Sequence, residues 1–130
     1  MEKSLNILKF IFHTLNLFII VLYLYPGSIL GLILYGNLKQ QPQITIDFFN
    51  ISSNHVYAFS LLSLLGSVCY LNHLKFIFLI YYLFFLSVIL ELFHIIIPER
   101  SFQFGDLAGN VLGVIISCII VFIFKYWRKQ

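Results

Sequence analysis

The residues able to do chemistry in this chain are few, and most fall in one stretch, Glu91–Gly113, ELFHIIIPERSFQFGDLAGNVLG. It holds three of the five acidic residues, one of the eight basic residues, one of the four histidines and one of the three prolines. Ionisable groups at membrane depth are costly and mark ion pairs, relays or ligand sites. Glu91 and His94 are i, i+3 and share a helix face. Asp106, Asn110 and Gly113 are i, i+4 and i+7 and form one stripe, with Gly109 beside it. His55 lies outside the stretch, just after Ser52-Ser53-Asn54, which are good helix-starting residues.

Three chemistries suit these residue types. An Arg held by carboxylates, with a His nearby, can grip a phosphate. On that reading Arg100 binds the anion, Asp106 and Glu91 orient Arg100 and His55, and His55 gives or takes a proton. The candidate catalytic set is His55, Glu91 and Asp106. The candidate ligand-binding set is Arg100, Asn110 and His94. The same groups could equally form an ion-pair and hydrogen-bond network that pins helices together, with Asp106 only capping its helix. A metal site of His55, His94, Glu91 and Asp106 would suit zinc or manganese. Against it, Glu91-Leu92-Phe93-His94 is a single E-x-x-H, not the paired set of a di-iron bundle. Neither a metal nor a cofactor is expected.

The elements that must carry these residues are membrane helices. Hydrophobic residues make up 61% of the 130 and charged residues 10%, against roughly 25% charged in an ordinary soluble domain. Mean hydropathy is +0.97. The apolar runs are continuous, as in Phe76–Leu90, rather than alternating as in a β-barrel. The expected fold is all-α, an integral membrane four-helix bundle in one domain over residues 1–130, with spans at about 7–25, 55–71, 76–97 and 107–124. Pro26-Gly27 ends the first span and Pro98 the third. The N-terminal run is long for a signal peptide and no A-x-A site follows it, so it reads as an uncleaved first span. His13 and Asn16 share a face of that span and read as helix–helix glue.

Residues 26–54 form the long connection. Its SILGLILYGNL segment has eleven residues, too few to cross about 30 Å of hydrocarbon at roughly 1.5 Å per residue. It reads as an interfacial or re-entrant segment, and Asp47 further on as interfacial. Lys3, Lys9, Lys75, Lys125, Arg128 and Lys129 fall on the side of the termini, and only Lys39 and Arg100 on the other. The positive-inside rule then puts both termini in the cytoplasm and the long loop outside. The net charge of +3 comes from these helix-end residues, so no nucleic-acid partner is expected. Cys69 and Cys118 read as small apolar residues, and His73 as a solvated turn residue. There is no Walker A, G-x-G-x-x-G, H-E-x-x-H or G-x-S-x-G motif. Four spans without an internal repeat are few for a secondary carrier, although a homo-oligomer would supply more.

This topology brings His55, Glu91, His94, Asp106 and Asn110 to one depth, with Arg100 in the loop between the last two helices. The pattern resembles the VanZ-like family over about Ser53–Gly113, roughly half of the chain. The family has a His and a small or aromatic pair at the start of a span, then E-x-x-Q, a Pro and Arg in a short loop, and D-x-x-x-N-x-x-G. Here these read His55-Val56-Tyr57-Ala58-Phe59, Glu91-Leu92-Phe93-His94, Pro98-Glu99-Arg100 and Asp106 through Gly113. The family's Gln is His94 in this chain, and the acidic and basic pair often found before the His is Ser53-Asn54. The resemblance implies a small polytopic protein of the bacterial inner membrane, linked to the cell envelope; the family takes its name from a glycopeptide-resistance factor. The expected partners are the lipid bilayer and a lipid-linked or phosphate-bearing envelope molecule, bound or acted on at an outward-facing polar site. The alternative is a non-catalytic membrane protein whose polar network only holds its helices together.

Overall fold

The computed structural model describes residues 2–128, so Lys129, counted above among the basic residues, lies outside them. The chain is all-α. Its elements are α1 (Glu2–Leu24), α2 (Ile29–Tyr35), α3 (Ser53–Tyr70), α4 (Phe76–Phe93) and α5 (Phe104–Trp127). Among the described residues there is no strand, only an isolated bridge between Phe48 and Ile51. Helices α1 (over Lys3–Leu24), α4 and α5 are long and apolar enough to cross a membrane.

Helix α3 is the less apolar one, carrying Asn54, His55 and four serines, Ser53, Ser60, Ser63 and Ser67. Its position explains this. It packs against α1, α4 and α5 and most extensively against α5, with Ser53, Ser63 and Ser67 buried alongside Phe59 and Leu62. The outer helices turn large apolar side chains outward, among them Phe10, Leu17, Phe78, Phe85 and Ile123. Polar groups sit inside and apolar groups outside, the distribution a lipid solvent favours.

The α3–α5 contact depends on small residues. A Cβ on Gly109 would meet Ser52 O at 2.6 Å, and one on Gly113 would meet Val56 O at 2.7 Å. Such close backbone approach is the usual basis of helix pairing where no hydrophobic force acts between helices. It also admits Ser117 Oγ, which donates to Ser60 O at 2.9 Å. Gly109 and Gly113 together make this close approach possible.

The ends of the helices set where the polar groups lie. Helices α1 and α4 end where α3 and α5 begin, since Tyr23 near the end of α1 reaches His55 and Asn110. At the opposite end His13 Nε2 is 3.1 Å from Tyr70 Oη and Asn16 Nδ2 donates to Tyr82 Oη at 2.6 Å, so this pair does join α1 to α3 and α4. Lys9 and Lys125 stand over the rings of Tyr70 and Phe76 at that end. Cys69 and Cys118 are free.

Helix α1 starts at Glu2 rather than at residue 7 and α5 runs to Trp127 rather than 124; three further differences bear on the polar residues. Helix α4 stops at Phe93, four residues before the expected Ile97, because its last turn tightens: the N–H groups of His94, Ile95 and Ile96 bond the carbonyls three residues back. Helix α5 starts at Phe104, with Gln103 in the N-cap position and no side-chain bond from it, so Asp106 lies in the first turn rather than at the cap. Helix α3 starts at Ser53, and its free N–H is met from the loop. Asp47 Oδ1 accepts from Ser53 N at 2.9 Å, and Ser53 Oγ donates to Thr45 O at 2.7 Å. Asp47, read as interfacial, is a cap supplied from six residues away.

Candidate functional site

Four helix ends contribute to one polar cluster. His55 comes from the first turn of α3, Glu91 from the last turn of α4, Asp106 and Asn110 from the start of α5, and Tyr23 from the end of α1. Tyr23 was not anticipated. It ends an apolar run three residues before Pro26 and carries no motif; only its depth, once four helices are stacked, could have pointed to it.

Asn110 is fully buried and organises the centre. Its Nδ2 donates to Ser87 O on α4 at 3.1 Å, which fixes the amide orientation. Its Oδ1 then accepts from Tyr23 Oη at 2.7 Å and lies 3.0 Å from His55 Nδ1. Tyr23 Oη is itself 3.0 Å from that nitrogen. The tyrosine has one proton and gives it to Asn110, so His55 Nδ1 must be a donor. In the neutral ring the lone pair therefore sits on Nε2, the atom facing Asp106 Oδ2 at 3.5 Å.

Glu91 is also fully buried. Its Oε1 accepts from Gln103 N at 3.0 Å, which ties α4 to the cap of α5. Its Oε2 is 3.2 Å from His94 Nδ1 but makes no hydrogen bond among the described residues. His94 Nε2 lies 3.1 Å from the Tyr23 carbonyl oxygen, to which it must donate, and the ring stacks on Tyr23 at 5.8 Å and 19°. His94 is thus buried between Glu91 and α1. One ligand atom from each of His55, Glu91 and Asp106 lies within 4.8 Å of the others; His94 is not in that group.

Arg100 does not take the place its sequence position suggested. The Pro98–Arg100 turn, with Glu99 at φ 59°, sends it toward α1. Its Nη2 donates to Leu22 O at 2.8 Å and its Nε to Tyr25 O at 3.3 Å, two carbonyls that the end of α1 leaves without helical partners. It is not ion-paired to Glu91 or Asp106, so the expectation that those carboxylates orient it by contact is not met. Burial draws the guanidinium below its ordinary pKa, while Tyr23, Glu91 and Asp106 pull it back up; an Arg remains cationic throughout. Glu99 pairs instead with Lys39 at 3.6 Å.

A cavity of about 460 Å³ opens beside this cluster. Leu22, Ile29, Leu30, Leu34 and Leu61 supply apolar wall, while His55, His94, Tyr23 and Arg100 supply polar wall. Helix α2 and the segment after it form one side, so the stretch expected to be interfacial closes the cavity. Ser28 Oγ caps α2 by accepting from Gly31 N at 2.9 Å, and Ser28 N donates to Leu38 O at 2.7 Å, which holds the segment folded.

Of the six candidate residues, His55, Glu91, His94, Asp106 and Asn110 come together, and Arg100 borders them through the cavity. No protein-family model, curated protein or solved structure matches the chain.

Proposed function

We propose that this is a VanZ-like envelope membrane protein that holds an anionic lipid, or a lipid-linked precursor, in the cavity between α1, α2 and α3. Four spans, α1, α3, α4 and α5, cross the bilayer with both termini cytoplasmic, and the cavity opens toward the outer leaflet. Acyl chains lie along Ile29, Leu34 and Leu61, and the phosphate meets the free arm of the Arg100 guanidinium. The observation that carries this reading is the cavity's division into a long apolar wall and a cationic and imidazole end. Arg100 uses part of its guanidinium fork on α1 and keeps the rest for an anion.

The test is lipid retention by purified protein in detergent, read by native mass spectrometry. Wild type is expected to keep an anionic phospholipid in preference to a zwitterionic one. Ala58→Phe, which fills the cavity, loses it; Arg100→Lys keeps the charge but not the fork and loses the preference. Equal retention by all three proteins removes the reading.

One observation favours a structural role. Both bonds of Arg100 go to α1 carbonyls, as they would in a network that only fastens helix ends. On that reading Arg100→Lys lowers thermal stability and leaves lipid retention unchanged.

A further inference from the structure

We propose that His55, Glu91 and Asp106 form a binding site for one divalent transition-metal ion, with zinc the best fit. This goes beyond the lipid reading and holds with or without a lipid in the cavity. The sequence argued against a metal because E-x-x-H occurs once, but that objection concerns His94, which stands outside the group that converges.

The geometry suits an ion better than a direct contact. His55 Nε2 and Asp106 Oδ2 are 3.5 Å apart, long for a hydrogen bond. Two ligands at tetrahedral positions about 2.0–2.2 Å from one ion stand about 3.3–3.6 Å from each other. The three ligand atoms, from three different helices, already lie within 4.8 Å of one another, so small side-chain rotations close the set.

The surroundings are those of a ligating histidine. A metal-bound imidazole turns its other nitrogen to an oxygen that fixes ring and tautomer. Here Asn110 and Tyr23 do this at Nδ1, and Asn110 is anchored in turn on Ser87. The lone pair is thereby aimed at the carboxylates. Glu91 gives the independent sign. It is fully buried, and its Oε2 lacks a hydrogen bond. With Oε1 alone satisfied, by Gln103 N, a buried carboxylate in this state favours a cation beside its second oxygen. Arg100 is turned away onto α1. His94 Nδ1 faces Oε2 at 3.2 Å but can donate there only as an imidazolium, since Nε2 already serves the Tyr23 carbonyl. Two carboxylates match one divalent charge and leave the buried set neutral, which suits imidazole-plus-carboxylate metals such as zinc or manganese. His55 also lines the cavity, which provides a way in for the ion.

Untagged protein in detergent is stripped with chelator, equilibrated with zinc, desalted and analysed for bound metal. Zinc affinity is measured by calorimetry. Wild type is expected to retain one zinc per chain. Glu91→Gln and Asp106→Asn each lose at least tenfold in affinity, and His94→Gln, whose amide can still donate to Tyr23 O, keeps it. With cobalt in place of zinc, Asp106→Cys gains a thiolate-to-metal absorption band, a signal an unfolded or non-ligating variant does not give. No zinc above the detergent blank in wild type overturns the proposal. So does unchanged affinity in both Glu91→Gln and Asp106→Asn, or an Asp106→Cys protein without the band.

Discussion

His55 and Asn110, separated by 55 positions in the chain, meet with His55 Nδ1 3.0 Å from Asn110 Oδ1. This contact joins the first turn of α3 to the second turn of α5 at the point where Tyr23 of α1 and Ser87 of α4 also bind the amide. One buried side chain thus ties four helices together and sets which histidine nitrogen faces the carboxylates. Its placement depends on the glycine just before it and the one three residues after it, since α5 lies close enough to α3 only because positions 109 and 113 have no Cβ.

Asn110→Leu keeps the volume and removes every bond. Ser87 O, Tyr23 Oη and His55 Nδ1 then lose a partner, at about 1–3 kcal/mol for each buried group left unsatisfied. Thermal unfolding in detergent should show a large drop in midpoint. Asn110→Asp, which keeps the acceptor but cannot donate to Ser87 O, should fall between.

Gly113→Val forces the two helix backbones apart, because even a Cβ would lie 2.7–2.9 Å from Val56 O, Ser60 N and Phe59 Cβ. Overpacking of this kind costs about 1–3 kcal/mol. The same change at Ala58, which lines the cavity, should cost much less, and detergent-unfolding midpoints of the two variants compare them directly.

Asp47→Ala removes the carboxylate that accepts from Ser53 N. Loss of a helix cap costs about 0.5–2 kcal/mol. The effect should be local. Hydrogen exchange should accelerate over residues 42–54 while α4 and α5 keep their protection.

Tyr23→Phe removes the hydroxyl shared by His55 and Asn110 and leaves the ring stacked on His94. The fold should hold, and His55 should lose part of its orientation. Zinc affinity is expected to fall about 10–100-fold, the usual effect of losing a group that positions a ligand, with the unfolding midpoint little changed.

Much of this arrangement was legible in the sequence. Continuous apolar runs, Pro26 and Pro98, and the Asp106–Asn110–Gly113 stripe were enough to give the helices and to bring five of the six candidate residues to one end. What was not legible came from contacts without local pattern. Tyr23 lies in an apolar run and acts only through its hydroxyl. Arg100 follows a turn whose direction is set by the left-handed backbone of Glu99, so it reaches carbonyls of α1, more than 70 residues earlier, rather than the carboxylates beside it in sequence. Asp47 caps a helix from across a loop, a pairing that capping rules based on adjacent positions do not capture. The extra turn expected of α4 failed because His94, Ile95 and Ile96 bond the carbonyls three residues back just before Pro98.

The most direct test of the cavity as a lipid site is photolabelling in native-like vesicles with an anionic phospholipid that carries a diazirine in its acyl chain. Labelled positions are mapped by mass spectrometry. If the cavity holds the lipid, label concentrates on residues 29–34 and 57–61, and Ala58→Phe moves it away. Label confined to the outward faces of Phe10, Phe78 and Phe85, and unchanged by Ala58→Phe, would contradict the account.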